Sequence, residues 1–208
     1  MSEADFTIFL VDDDADVLKA LGRLVRAWGY DSREFVSPQD FLREHDASLP
    51  GCAVLDVAMP DLDGLMLQRT LAAKGVELPV IFLTGRGDIP MTVCAMKAGA
   101  VDFLTKPVNA DALLAAIGRA KEREAREREA RAQMESFLAK LAKLTPRERE
   151  VLGHVVTGRL NKQIAYDLGT VEKTIKVHRS RMMEKMGARS LAELVRMVER
   201  AGMLQSHH

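Results

Sequence analysis

Five polar side chains stand at the ends of short apolar segments that are far apart in the sequence: Asp12, Asp13, Asp56, Thr84 and Lys106. Carboxylates that lie close together raise one another's pKa unless a cation joins them, and ligation by oxygen alone suits Mg²⁺. A carboxylate held beside Mg²⁺ can attack phosphorus and form an acyl phosphate, whose other oxygens then need donors such as a hydroxyl and an amine. The residue types therefore predict phosphoryl transfer to an aspartate, if the fold brings them together.

The segments that would position these side chains alternate with helical patterns. Continuous apolar runs separated by amphipathic stretches are typical of a parallel sheet covered by helices on both faces. The runs are Phe6–Val11, a weaker one at Tyr30–Phe35, Cys52–Asp56, Pro79–Thr84 and Val101–Thr105. They predict a doubly wound, flavodoxin-like (βα)5 domain of the α/β class over residues 1–118, in which the polar residues meet at the carboxyl ends of the strands.

A second interpretation of the acidic residues is that they cap helices or lie in loops. We prefer that interpretation for Asp14 and Asp16. For the group acting together we prefer phosphoryl chemistry, because every strand end supplies a residue type that the chemistry requires.

The net charge of zero combines two opposite halves. Residues 1–118 carry 10 Lys and Arg against 18 Asp and Glu, a net charge of −8, and residues 119–208 carry 20 against 12, a net charge of +8. An acidic module joined to a basic one is predicted, and the basic one suits a polyanion. No signal-peptide pattern and no apolar run of about 20 residues is present, which predicts a cytoplasmic protein without a membrane partner.

The second half is rich in helix-forming residues. Residues 119–143 are predicted to form a charged helical linker. An apolar stripe in its later part could be a coiled-coil seam or could pack on a neighbouring domain: Ala130, Met134, Phe137, Leu141 and Leu144.

A new domain of four helices is predicted over residues 144–206, opening with a capping box at Thr145 and Glu148. Its second helix, Asn161–Leu168, and its third, which ends at Met186, meet around Gly169 as in a helix-turn-helix. In that motif the second of the two helices enters the major groove of DNA.

The groove-facing helix divides into an apolar and a polar set. The apolar residues are predicted to face the core: Val171, Ile175, Met182, Met183 and Met186. The polar face is left for solvent or DNA: Lys173, Thr174, Lys176, Val177, His178, Arg179, Ser180, Arg181 and Lys185. A solvated helix face is the alternative, and the basic charge of this half favours DNA.

Motifs over residues 6–118 resemble the receiver domain of bacterial two-component response regulators: VDDD at 11–14, LD at 55–56, MPDLDG at 59–64, LTG at 83–85 and TKP at 105–107. The resemblance implies that Asp56 accepts a phosphoryl group from a phosphohistidine on a sensor histidine kinase. It also implies that Asp13, Asp56 and the backbone carbonyl of Ala58 ligate Mg²⁺, with Asp12 helping through water.

The same resemblance assigns a switch pair and a backbone feature. Thr84 and Phe103 would respond together to the phosphoryl group, the hydroxyl moving towards it and the ring turning inward. The bond between Lys106 and Pro107 is expected to be cis.

Residues 144–195 look like the LuxR-type DNA-binding domain, and with the receiver they resemble the NarL/FixJ family. DFLTKP, TPREREVL and GDIPMTV at 87–93 are most similar to its FixJ-like branch. By that resemblance Lys176, Val177 and Ser180 face bases. Phosphate contacts are expected from Lys173, His178, Arg179, Arg181 and Lys185.

The chain departs from the family pattern where the groove-facing helix opens. The family often has Ser, Thr or Pro there, whereas this chain has Val171, a poor N-cap. Thr170 could take over if the helix began one residue earlier.

These features predict a transcriptional response regulator and no turnover enzyme. Phosphorylation of Asp56 is expected to promote homodimerisation through the face around Val93–Lys97 and Phe103, and binding to double-stranded DNA, with RNA polymerase as a further partner. The alternatives are a receiver whose helical tail binds protein or RNA, and an aspartyl-phosphate phosphatase.

Overall fold

A computed structural model of the chain describes residues 6–60, 62–85 and 89–202. The chain divides into two compact units, Met1–Arg128 and Glu129–His208. Residues 87 and 88 of the GDIPMTV segment, and the predicted domain end at 206, lie outside the described residues. Within those residues, no helix combines the length and apolar character that crossing a membrane requires.

The first unit is built on a five-stranded parallel sheet with the order β2-β1-β3-β4-β5. The strands are β1 (Thr7–Val11), β2 (Asp31–Phe35), β3 (Gly51–Asp56), β4 (Val80–Thr84) and β5 (Asp102–Thr105). This confirms the predicted doubly wound α/β fold. The chain turns to opposite sides of β1 when it forms β2 and β3, and such a switch point places a binding crevice at the carboxyl ends of these strands.

Helices cover both faces of the sheet, and the pleat of the strands divides their residues between two cores. The helices are α1 (Ala15–Ala27), α2 (Pro38–Glu44), α3 (Gly64–Ala73), α4 (Ile89–Lys97) and α5 (Ala110–Ala142). Ile8 and Val54 pack with residues of α1 and α5, whereas Phe9 and Leu55 pack with residues of α2, α3 and α4. Because strands buried on both faces need apolar residues throughout, the continuous runs were a dependable signal.

Helix α5 is continuous over 33 residues, and the predicted linker limits of 119–143 stay a prediction. Leu113 and Ile117 in its first turns are buried in the core of the first unit. Phe137 near its end, and Leu144 just after it, are buried in the core of the second unit. These two residues of the stripe therefore pack with the helices of the C-terminal domain. This agrees with the interpretation in which the stripe packs on a domain and does not form a coiled-coil seam.

The second unit contains helices α6 (Pro146–Val156), α7 (Asn161–Asp167), α8 (Glu172–Met186) and α9 (Leu191–Arg200). The capping box is present: the N–H of Thr145 donates to Oε2 of Glu148 at 2.9 Å, and the N–H of Glu148 donates to Oγ1 of Thr145 at 3.3 Å. Ile175, Met182 and Met186 of α8 are fully buried, as the apolar pattern predicts.

The start of α8 corrects two expectations. The helix begins at Glu172 with Val171 as its N-cap, so the alternative start at Thr170 is wrong. Val171 was expected to face the core, but its side chain is 65% exposed and makes no capping hydrogen bond. An N-cap residue stands outside the helical period, so the apolar pattern of α8 does not extend to it.

Candidate functional site

Three carboxylates meet at the carboxyl ends of two neighbouring strands. Asp12 and Asp13 follow β1 and Asp56 ends β3, and these strands pair with Val11 opposite Leu55. One carboxylate oxygen from each of the three lies within 4.8 Å of the others. Asp12 and Asp56 are buried, whereas Asp13 is exposed. The structure thus brings together the acidic residues that the sequence placed 44 positions apart in the chain.

Lys106 reaches this cluster from the end of β5. Its Nζ lies 2.6 Å from Oδ2 of Asp12 and 3.2 Å from Oδ1 of Asp56. Its backbone N–H donates to the carbonyl oxygen of Thr84 at 2.7 Å, which ties it to the end of β4. The peptide bond between Lys106 and Pro107 is cis, as expected.

The charges of the cluster favour the binding of a second cation in addition to Lys106. Burial raises the pKa of Asp12, and the charge of Asp56 acts in the same direction, against the hydrogen bonds from Lys106 and from the N–H of Asp14. Burial lowers the pKa of Lys106, but the hydrogen bonds and charges of Asp12 and Asp56 outweigh it, so the net pKa is raised. The ammonium therefore stays charged, and one positive charge faces three carboxylates.

The donor set fits a hard dication. It consists of oxygen ligands alone, which Mg²⁺ prefers over the nitrogen and sulfur ligands typical of zinc. Ala58 lies two residues after Asp56 and is exposed. The role of its backbone carbonyl as a metal ligand stays a prediction.

The expected switch residues lie on the two strands next to β3. Thr84 is the last residue of β4 and is buried. Phe103 in β5 is partly buried, and its ring centroid lies 6.2 Å from that of Phe82. Their role as a pair stays a prediction.

Gly64 belongs to the site, although sequence reasoning assigned it no role. A Cβ atom at this position would lie 2.4 Å from the backbone carbonyl oxygen of Asp56. The N–H of Gly64 donates to the carbonyl oxygen of Val57 at 3.1 Å. Only glycine allows the start of α3 to approach the strand end this closely. The glycine of MPDLDG was visible in the sequence, but its neighbour in space was not.

The predicted DNA-facing residues of α8 differ in exposure. Lys173, Lys176, Val177, Ser180 and Arg181 are exposed. The others are half-buried: Thr174, His178, Arg179 and Lys185. Val177 is apolar, yet it lies in the middle of this exposed basic helix face. It therefore does not contribute to the core.

Three basic side chains of α8 are engaged within the domain. Nζ of Lys176 lies 3.1 Å from Oε1 of Glu172. Nη1 of Arg179 donates to Oδ1 of Asn161 at 3.0 Å, which joins α8 to the start of α7.

Lys185 is the third, and it donates to Glu148 at 2.6 Å. Sequence reasoning did not find the partners of Arg179 and Lys185, because side-chain pairing across helices leaves no periodic signal.

Comparison with known proteins finds one family in each half of the chain. Residues 8–118 match the response regulator receiver domain, and residues 142–198 match the bacterial regulatory proteins of the luxR family. The chain is 44% identical over 200 residues to nodulation protein W of Bradyrhizobium diazoefficiens, covering 96% of this chain and 88% of that protein. It is 41% identical over 197 residues to the transcriptional regulatory protein FixJ of the same organism, covering 95% and 96%.

Among solved structures, the response regulator StyR, determined at low resolution, shares 44% identity at a TM-score of 0.84, over 95% of this chain and 100% of that one. Full-length FixJ from B. japonicum shares 39% identity at a TM-score of 0.57, over 96% and 98%. The chain therefore belongs to the NarL/FixJ family of two-component response regulators, in which a receiver domain precedes a LuxR-type DNA-binding domain.

Proposed function

We propose that this response regulator is switched by phosphorylation of Asp56 and then binds promoter DNA as a homodimer. The observation that carries the proposal is the position of Asp56. Its carboxylate is buried at the end of β3, lies 3.2 Å from Nζ of Lys106, and shares an acidic cluster with Asp12 and Asp13. A buried carboxylate beside both an amine and a set of metal-binding oxygens supplies the nucleophile, the cationic donor and the metal site that phosphoryl transfer to an aspartate uses.

In the proposed reaction a carboxylate oxygen of Asp56 attacks the phosphorus of a phosphohistidine on a sensor histidine kinase. The new P–O bond forms as the P–N bond breaks, and the imidazole leaves with the electron pair. Asp12, Asp13, Asp56 and the carbonyl of Ala58 would hold Mg²⁺, which when bound neutralises charge on the phosphoryl oxygens. The ammonium of Lys106, already beside Asp56, stabilises the aspartyl phosphate once it has formed.

The output is proposed to pass through the face of α4 and β5. Val93 and Met96 on α4 are exposed although apolar, and Phe103 of β5 packs beneath the same part of the domain. A response of Thr84 and Phe103 to the phosphoryl group would alter this face and favour an isologous dimer. Two copies of α8 would then meet two half-sites of an operator, and RNA polymerase would be the further partner.

DNA binding with and without activation tests the proposal. The full-length protein is incubated with acetyl phosphate or beryllofluoride plus Mg²⁺, and duplexes are selected from a randomised pool. We expect activation to tighten binding by about tenfold or more, which corresponds to a coupling of about 1.4 kcal/mol. Asp56→Asn should abolish the gain, whereas Asp16→Asn, which removes an exposed carboxylate on α1, should keep it.

Other outcomes would contradict particular parts. Equal binding by activated protein and by Asp56→Asn would refute the switch. Binding without preference for duplex would favour the alternative in which the helical tail binds RNA or protein. Steady release of phosphate from an ester substrate would favour the phosphatase alternative.

A further inference from the structure

The DNA-facing surface of α8 contains an acidic residue at the end where base contacts are expected. Oε1 of Glu172 lies 3.1 Å from Nζ of Lys176, one helical turn away. Both side chains are largely in solvent, at 46% and 64% exposure. Exposed pairs of this kind contribute little to stability. As the acidic residue in the first turn of α8, Glu172 complements the helix dipole. That role does not require Lys176 as a partner, and the place of the pair on the helix suggests a role in binding.

The pair has opposite consequences for phosphates and for base edges. The first turns of a helix-turn-helix recognition helix contact bases, so Glu172 and Lys176 both stand close to the proposed groove. Along the phosphate backbone only Lys176 can bind. It must leave Glu172 to do so, and the carboxylate is then left in the negative field of the DNA. The two residues together thus add almost nothing to binding that depends on phosphates alone.

A G·C pair offers both residues a partner at once. In the major groove guanine presents the acceptors O6 and N7, and cytosine presents the donor group N4–H₂. A lysine can donate to guanine while a carboxylate accepts from cytosine, so the ion pair keeps both charges satisfied. An A·T pair also presents an acceptor and a donor, but a lysine is best matched to the two acceptors of guanine.

We propose that Glu172 is a specificity-determining residue that works as a unit with Lys176. It weakens binding to non-specific DNA by engaging Lys176, and it favours a G·C pair in each half-site by accepting from cytosine. This inference rests on the proposed binding of DNA through α8. It adds an acidic residue to a set of contacts that otherwise consists of basic and neutral side chains.

The test compares Glu172→Gln with Glu184→Gln in the full-length protein. Glu184 is an exposed acid on the same helix, has no side-chain partner among the described residues, and lies three turns further along. Binding is measured by fluorescence anisotropy between 50 and 200 mM salt, on a duplex selected by the wild type and on a scrambled duplex of equal composition.

Glu172→Gln should bind the scrambled duplex roughly two- to fivefold more tightly, with a salt slope steeper by about 0.9, because Lys176 gains a phosphate contact. Its affinity for the selected duplex should not rise. The specificity ratio, which is the affinity for the selected duplex divided by that for the scrambled duplex, therefore falls. Selection repeated with this variant should lose its preference at one G·C pair per half-site. Adding Lys176→Gln to Glu172→Gln should remove the gain on scrambled DNA. Glu184→Gln should change both affinities in the same proportion.

The outcomes separate this inference from the proposed function. A specificity ratio unchanged by Glu172→Gln, or lowered equally by Glu184→Gln, overturns the role of Glu172 while DNA binding stands. If the wild type selects no duplex, DNA binding itself fails before the variants are compared. Circular dichroism melts confirm that each variant is folded before binding is measured.

Discussion

Nζ of Lys185, in the last turn of α8, lies 2.6 Å from Oε2 of Glu148, in the first turn of α6. Glu148 is almost fully buried, and the same carboxylate oxygen accepts the N–H of Thr145. Lys185 therefore joins α8 to the capping box that opens the DNA-binding domain. Although it belongs to the predicted DNA contacts, its position in the domain gives it a structural partner.

Lys185→Ala is expected to destabilise the DNA-binding domain. Without the lysine, the buried carboxylate of Glu148 loses a charged donor, and such a loss costs about 1–3 kcal/mol. Lys173→Ala, which truncates an exposed lysine earlier in α8, should change stability by less than about 0.5 kcal/mol. Urea unfolding followed by circular dichroism measures both. If the two variants unfold alike and Lys185→Ala loses DNA affinity, Lys185 acts as a DNA contact and the structural role is secondary.

The same pair predicts how the domain responds to acid. The hydrogen bond from Lys185 holds the pKa of Glu148 below its usual range, with the Thr145 N–H acting in the same direction. Because the folded pKa is below the unfolded value of about 4.3, the stabilisation is complete above that value. It is lost as the pH falls through the folded pKa.

The urea midpoints of wild type and Glu148→Gln should therefore differ most at pH 7 and converge as the pH falls through the folded pKa of Glu148. Measurements at pH intervals from 7 to 3 check this expectation. A constant difference over the whole range would mean that the charge of Glu148 contributes nothing and that only its shape matters.

The strands were accessible to sequence reasoning because each buried run packs in two cores, one on each face of the sheet. β3 and β4 are buried at every position, so their apolar runs are continuous. β2 gave a weaker signal, since it is an edge strand and most of its residues are at least partly exposed. The acidic site followed from topology alone, because the carboxyl ends of parallel strands lie at one edge of the sheet.

The features that the sequence did not predict depend on contacts between distant residues. Glu148 and Lys185 are separated by 37 positions, and no period in either helix relates them. The close approach of Gly64 to Asp56 depends on how α3 begins. Val171 was wrongly predicted to face the core. The sequence alone does not distinguish an apolar residue that caps a helix from one that enters the core.

Val171→Ser should stabilise the DNA-binding domain. Val171 is the N-cap of α8 in an extended conformation, with φ −99° and ψ 149°, and offers no acceptor to the first free N–H groups of the helix. A serine hydroxyl can accept one of these, for a gain of about 0.5–1 kcal/mol. Val177→Ser, the same change inside α8, should give no gain, because the N–H groups there are already bonded. An unchanged or lower melting temperature for Val171→Ser contradicts the capping argument.

Arg123 of α5 is expected to hold the end of α4 in place. Its Nη1 donates to the carbonyl oxygen of Gly99 at 2.7 Å, and Nε2 of Gln68 donates to the neighbouring carbonyl of Ala98 at 3.2 Å. The carbonyls at a helix end have no partner within the helix, so these side chains supply donors that the turn between α4 and β5 otherwise lacks. Arg123→Ala should weaken this turn more than Arg126→Ala, which truncates an exposed arginine of the same helix.

Amide hydrogen exchange at residues 98–103 measures the effect. Loss of one partly exposed charged hydrogen bond of about 1 kcal/mol should speed exchange in this segment roughly fivefold. Exchange in β1 and β3 should not change, since their ladder bonds do not involve α5. If Arg123→Ala leaves exchange at 98–103 at the wild-type rate, Gln68 and the packing of Ala95 and Ala100 are sufficient to hold the end of α4. A uniform increase across the whole receiver would instead mean that Arg123 stabilises the domain globally and that the turn is not its particular target.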